Sequence, residues 1–256
     1  EAGGLLHQNF DSSDDFTVYS GGKLQIDGGE VLIGSDTGTY GSADLTVNNG
    51  GEVEVNPGGV LRVDDYLNVD GTLYMKDSDV YVKYHGRGNT NYGHYQQSGS
   101  SFTMDGDAKL HIKGCYSDSD SYPAIYWHSS SNIQLNSGTV YFENGSPAGH
   151  DRDCRFRTVN KWFNNLVIDK PGKQLRIYND TVRVKNELHI KNGTFHPAGI
   201  AVHVEGDWIN DATVVNSGSI TFVGEGPSSI KGTSVTPFQY LYISKDSPTD
   251  VVKLGQ

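Results

Sequence analysis

Phe16-Thr17-Val18, Leu24-Gln25-Ile26, Val31-Leu32-Ile33, Leu45-Thr46-Val47, Val53-Glu54-Val55, Leu61-Arg62-Val63, Leu67-Asn68-Val69, Leu73-Tyr74-Met75 and Val80-Tyr81-Val82 repeat one phrase, apolar–anything–apolar, mostly every six to eight residues. Side chains on an extended chain alternate faces, so the outer two residues of each triplet point the same way and each triplet is a minimal strand. Gly21-Gly22, Gly28-Gly29, Asn48-Asn49-Gly50-Gly51, Pro57-Gly58-Gly59 and Asp70-Gly71 fill the gaps with tight-turn residues. Sandwich strands run ~5–6 residues with turn signals every 8–12. The shorter rhythm here predicts an all-β fold instead: a single-stranded parallel β-helix (β-solenoid) with about three short strands per coil.

Working outward from that stretch, Phe102-Thr103-Met104, Leu110-His111-Ile112, Ile125-Tyr126-Trp127, Ile133-Gln134-Leu135 and Val140-Tyr141-Phe142 resume the phrase. It continues through Leu166-Val167-Ile168, Leu188-His189-Ile190, Val202-His203-Val204, Ile220-Thr221-Phe222 and Leu241-Tyr242-Ile243. Three stretches break the rhythm: Lys83 to Ser101, Gly114 to Pro123, and Glu143 to Lys161. They predict long loop excursions between residues 83 and 161, and loops of that length inside a compact domain are usually functional or disordered. Residues 1–15 read as a leader or a cap over the first rung, whose backbone edge needs covering. The whole, residues 1–256, reads as one domain. A start at Glu1 reads as a removed signal or a fragment of a longer chain.

Thirty-two Gly against 35% hydrophobic residues suit a narrow core with many corners. A formal net charge of −11 disfavours nucleic acid or an anionic membrane surface as partner. No run of about 18 apolar residues occurs, so no membrane insertion is expected. The two cysteines, Cys115 and Cys154, lie in polar, loop-like surroundings. A disulfide between them would suit an exported protein, and two unpaired thiols is the other reading.

The run Asn186 to Phe195, then Val204-Glu205-Gly206-Asp207-Trp208-Ile209-Asn210, Gly218 to Gly224, Ile230-Lys231-Gly232 and Phe238 to Ile243 resembles a repeat of β-helical regions in large secreted and cell-surface, adhesin-like proteins of Bacteroidota. In that pattern a GDW-x-N turn, a G-x-V-x-F-x-G strand, a Q-x-I-x-G corner and an F-x-N-L strand recur. Residues 137–245 carry the match, with departures at Ser228 and at Gln239-Tyr240. The resemblance implies a secreted or surface scaffold and no chemistry.

Middle residues of the triplets should face outward and, on stacked laps ~4.8 Å apart, could form a flat aromatic ladder suited to sugar rings. The candidate glycan-contact residues are Tyr74, Tyr81, Tyr84, His85, Tyr92, His94, Tyr95, Tyr126 and Trp127. The plainer alternative is that Tyr is a good strand residue with a wettable tip. The histidine spacings fit no standard ligand motif, so no metal site is predicted and no cofactor is expected. Calcium on Asp118, Asp120 or the turn aspartates is the weaker option.

An enzyme of the polysaccharide lyase or hydrolase type needs a compact carboxylate pair, or a base beside Arg or calcium. Glu54, Arg62, Arg176 and Arg183 face outward on separate stretches, and adjacent Asp64 and Asp65 would point to opposite faces. The expected function is therefore non-catalytic: an adhesin, scaffold or self-assembling structural protein. Polysaccharide binding is the alternative, and the expected partners are a polysaccharide, another surface ligand or a second copy.

Overall fold

A computed structural model describes residues 5–8, 15–34, 43–83, 93–115, 123–145 and 153–255, and every strand pairing among them is parallel. No helix occurs among the described residues. Three ladders of short strands wind along the chain. Phe16–Val18, Leu45–Val47, Leu67–Val69, His94–Gln96, Ile125–Trp127 and Cys154–Arg157 form the first. Lys23–Ile26, Glu52–Val55, Thr72–Lys76, Ser101–Asp105 and Asn132–Leu135 form the second. The third comprises Leu5–Gln8, Glu30–Ile33, Val60–Val63, Asp79–Lys83, Lys109–Lys113 and Thr139–Glu143. Leu5–Gln8 thus lies inside the segment expected to be a leader or cap, and it is itself a paired strand.

Beyond Thr139–Glu143 the chain changes style. Trp162–Ile177 pairs with the third ladder through Asn165–Asp169 and with the first through Leu175–Ile177, and the second long run, Val182–His196, pairs along it with register irregularities after Phe163, Ile168 and Asp169. Such irregularities bend a strand without ending its pairing. Gly193, at a positive φ of 88°, takes one such bend, and a Cβ there would overlap the carbonyl oxygens of Lys170 and Lys173. Asp207–Asn210, expected to be a turn, is a strand of the third ladder.

The paired aliphatics of the triplets line the interior: Leu45, Val47, Val53, Val55, Leu61, Val63, Leu67, Val69, Leu73, Met75, Val80 and Val82 are all at 0% exposure. Farther along, the core turns aromatic. Trp127 stands 5.2 Å from Phe163, and Phe142 stands 5.2 Å from Phe156, ring centre to ring centre.

The breaks in the rhythm are shorter than the sequence suggests. His94–Gln96 and Cys154–Arg157 both fall inside predicted excursions and both belong to the first ladder. Their inward positions carry His, Gln, Cys and Phe, so the aliphatic phrase is hidden there. Residues 9–14, 35–42, 84–92, 116–122 and 146–152, outside the described set, all lie between a third-ladder strand and the next first-ladder strand. Only Asp64-Asp65-Tyr66 closes that corner directly in the same half of the chain.

Candidate functional site

The outward residues of the third ladder build a column. Register places Arg62 beside Tyr81, Tyr81 beside His111, and His111 beside Tyr141. The Arg62 guanidinium lies 4.2 Å from the Tyr81 ring centre. Tyr81 and His111 stack at 4.3 Å and 13°, His111 and Tyr141 at 4.8 Å and 7°. Carboxylates flank the column: His111 Nδ1 is 3.1 Å from Glu143 Oε2, His111 Nε2 is 3.3 Å from Asp79 Oδ1, and Glu30 pairs with Arg62. Burial pushes the Glu143 carboxyl up, and the hydrogen bond and charge of His111 with those of Lys113 reverse this, leaving it below the usual carboxylate range. Burial and the Asp79 charge raise the Tyr81 hydroxyl.

This geometry corrects the expected sugar platform. The rings are stacked on one another, so their faces are occupied and only their edges look outward. A column of this kind can offer hydroxyl and imidazole edges to a polar partner, and it cannot lie flat against a sugar ring.

The candidate residues do not converge. Tyr74 sits on the second ladder, Tyr81 on the third, and Tyr95 and Tyr126 on the first. Tyr95 and Tyr126 meet at 64°, and the Arg157 guanidinium is 5.0 Å from the Tyr126 ring centre while Arg157 Nη1 donates to the Tyr126 hydroxyl at 3.1 Å. His94 and Trp127 are core residues, each at 0% exposure, because they occupy the inward positions of their triplets; neither can touch an external ligand. Tyr84, His85 and Tyr92 lie outside the described residues, as do Asp118 and Asp120. Among the described residues no group of three or more His, Cys, Asp or Glu is arranged to hold a metal ion.

Cys115 and Cys154 form a disulfide with Cα atoms 5.5 Å apart. Cys115 follows a third-ladder strand and Cys154 opens a first-ladder strand, so the bond joins the departure of one corner connection to the return of the next. Asp207-Trp208-Ile209-Asn210 also has a structural task. Trp208 fills the core, Asp207 Oδ1 accepts the Ser229 N–H at 2.9 Å, and the Asn210 amide bonds Val235 O and Thr236 Oγ1. Sequence reading passed over one grouping, Arg155, Arg176 and His196 on paired strands; its signal is a basic residue recurring beside an inward apolar one, about one lap apart.

The register defines the class of protein: a parallel β-solenoid. No protein family profile matches the chain, and no curated protein does. One solved structure is similar to it, described as the crystal structure of a TibC-catalyzed hyper-glycosylated TibA55-350 fragment. The likeness covers 93% of this chain and 87% of that one at 16% identity and a TM-score of 0.25. The assignment of class here stands on the strand register. None of the described residues forms a helix long and apolar enough to cross a membrane.

Proposed function

We propose that this chain is a non-catalytic, exported β-solenoid with three short strands per coil, acting at a cell surface as an adhesion or scaffolding rod. The observation that carries the reading is the common corner. Five long connections leave the third ladder and rejoin the first, so their roots lie along one edge of the stack, and the disulfide fastens two neighbouring roots together. A regular stack with its long connections rooted along one edge is suited to display: the ladders supply rigidity and the edge supplies contact. The Asn144 side chain, donating to Pro171 O at 2.9 Å, and buried Lys170, donating to Glu143 O at 3.1 Å, brace that edge where short connections take over.

The test replaces residues 84–92 and 116–122 with three-residue links copied from Asp64-Asp65-Tyr66. The shortened chain should keep its β-sheet circular dichroism and lose attachment to cells or immobilised glycans. Undiminished attachment would place the contact surface elsewhere and sink the display reading.

Self-assembly is a second reading, favoured by one observation. Leu241 and Ile243, on Tyr240–Lys245, are 41% and 61% exposed although they pair with the buried Ile220 and Phe222, and Leu254, on Val252–Leu254, is 81% exposed. Light scattering during size exclusion decides it: a monomer at every concentration removes this reading.

A further inference from the structure

Tyr240–Lys245 precedes Val252–Leu254 along the chain as Lys23–Ile26 precedes Glu30–Ile33, so these last two described strands close the second and third ladders. Pairing leads from Tyr240–Lys245 back through Ser219–Gly224 and Ala201–Val204 to residues 182–184, and from Val252–Leu254 to Ser228–Lys231. Each closing strand is paired along one edge only among the described residues. Open sheet edges are normally guarded by charge, proline or a bulge, because unpaired backbone groups recruit another strand. At the other end of the stack Lys23–Ile26 carries such a guard in Lys23, ion-paired to Glu54 at 2.8 Å. Tyr240-Leu241-Tyr242-Ile243-Ser244 has none: five uncharged residues, four of them exposed apolar or aromatic side chains, in a chain of net charge −11. Lys245 follows, and its Nζ donates to Glu205 O at 2.7 Å and Val223 O at 2.8 Å, so that charge is turned back into its own stack.

The far end of another copy cannot cover this edge. Laying Lys23–Ile26 on Tyr240–Lys245 would bring Leu5–Gln8, one lap ahead of Glu30–Ile33 on the third ladder, into the place of Val252–Leu254. The same end of another copy fits. Turned about a two-fold axis through Tyr242, the strand meets itself antiparallel, with Tyr242 opposite Tyr242, Leu241 opposite Ile243 and Tyr240 opposite Ser244. Leu241 and Ile243 pair with buried Ile220 and Phe222 within the chain, so both belong to the core side and the joined strands continue one apolar column. No like charges meet at these positions, which is the first requirement of a cross-strand pair.

We infer that two copies of this chain join end to end through Tyr240–Lys245 in a closed, two-fold dimer. The inference rests on the self-assembly reading and narrows it. A two-fold contact uses the same patch on both partners and stops at two, whereas an unlike contact would run on into filaments.

Sedimentation across a range of concentrations tests the dimer, and cross-linking tests its orientation. The parent should pass from monomer to dimer and no further. Ile243→Lys restores a guard to the edge at a residue exposed in the single copy, so circular dichroism should not change. Its dimer dissociation constant should rise about a hundredfold, because the symmetry counts the lost burial twice. The native cysteines are bonded to each other, so introduced thiols report alone. Tyr242→Cys should be joined to its copy by a short bismaleimide, and Gln25→Cys, on the edge strand at the other end, should not. A monomer at every concentration overturns the dimer and the self-assembly reading together. Filaments, a dimer that Ile243→Lys leaves intact, or linking at Gln25→Cys equal to that at Tyr242→Cys overturns the dimer alone.

Discussion

Trp127 Nε1 points at His94 Nδ1 across 3.5 Å in the interior of the stack, where both side chains are shut off from solvent. The Gln96 amide nitrogen stands 3.0 Å from the other ring nitrogen, and Ser100 Oγ donates to Gln96 Oε1 at 2.8 Å. A neutral imidazole offers these donors one acceptor nitrogen, and the imidazolium offers none. Burial accordingly holds the His94 pKa down to about 3.

An unfolded histidine titrates near 6.5, so below that pH the unfolded chain takes up a proton that the native chain refuses. The stabilisation from neutral His94 is complete above pH 6.5 and declines as pH falls toward 3, by up to ~1.4 kcal/mol per unit. His94→Gln should remove this slope. The urea-derived stability gap between parent and variant should shrink by about 2 kcal/mol from pH 7 to pH 5. A gap that is independent of pH refutes the buried neutral ring.

Asp44 works in the opposite sense. Burial, then the charges of Asp65 and Asp15, raise its carboxyl to about 8, although the Tyr66 N–H donates to it at 3.2 Å. The native chain keeps a proton that the unfolded chain releases near pH 4. Stability from Asp44 is therefore present at acid pH and is lost as pH rises through 8. Asp44→Asn keeps an acceptor for Tyr66 and should be more stable than the parent at pH 8, by about 1–2 kcal/mol once solvent screening is allowed for. Below pH 4 the two should melt together; a variant that melts below its parent at pH 8 contradicts the assignment.

These two sites show what sequence can and cannot reveal in such a fold. The aliphatic triplets disclose the ladders because Leu61, Val63, Val80 and Val82 obey a single-residue rule, apolar means inward. His94, Gln96 and Cys154 break that rule and are still inward, because each is satisfied by a partner about a lap away or by its own triplet. Pair chemistry of that kind is invisible until the register is known. The register is obscured by connections that vary the lap from 18 residues, Val202 to Ile220, up to 31, Ile125 to Phe156. The outward placement of Tyr81, His111 and Tyr141 was legible for the same reason as the core, whereas their mutual stacking was not. The recurrence of Ser137–Phe142 at Ser217–Phe222 likewise preserves a local pairing of consecutive strands, Val140 with Leu166 and Ile220 with Leu241, while the two copies fall on different ladders.

The Cys115–Cys154 bond spans 39 residues of chain. Closing a loop of that size restricts the unfolded ensemble by about 3–4 kcal/mol in the chain-entropy account. The Cys115→Ala, Cys154→Ala double variant should lose stability on that scale, and the parent in reductant should match it. Coincident urea midpoints for the oxidised and reduced parent would show that the bond constrains nothing.

Val63 lies between Ile33 and Val82 on neighbouring third-ladder strands and is fully buried. Val63→Asp places a carboxylate where no donor reaches it, at a cost above about 4 kcal/mol. Several laps should melt together in the circular dichroism transition. A melt like that of the parent would mean that the triplet aliphatics do not line the tube.

Asn210 is the sharpest test of how far such a disturbance travels. Its amide nitrogen bonds Val235 O at 3.1 Å and Thr236 Oγ1 at 3.0 Å, and its Oδ1 accepts the Ala212 N–H at 3.1 Å. Trp208 Nε1 donates to the same Thr236 hydroxyl at 3.1 Å, so one buried amide and one indole hold residues 235–236 against the stack. Asn210→Ala strands a buried donor and a buried acceptor, worth about 2–3 kcal/mol. Asn210→Asp keeps the acceptor, loses both donated bonds and adds a buried charge, so it should be worse. In a stack where each rung touches only its neighbours, the damage stays local. Amide exchange should therefore quicken at Ala212 and around residues 235–236 and stay unchanged from Leu45 to Lys83. Acceleration spread evenly down to Leu45 would show that the rungs unfold as one cooperative unit, and nearest-neighbour stacking would then be the wrong description of its stability.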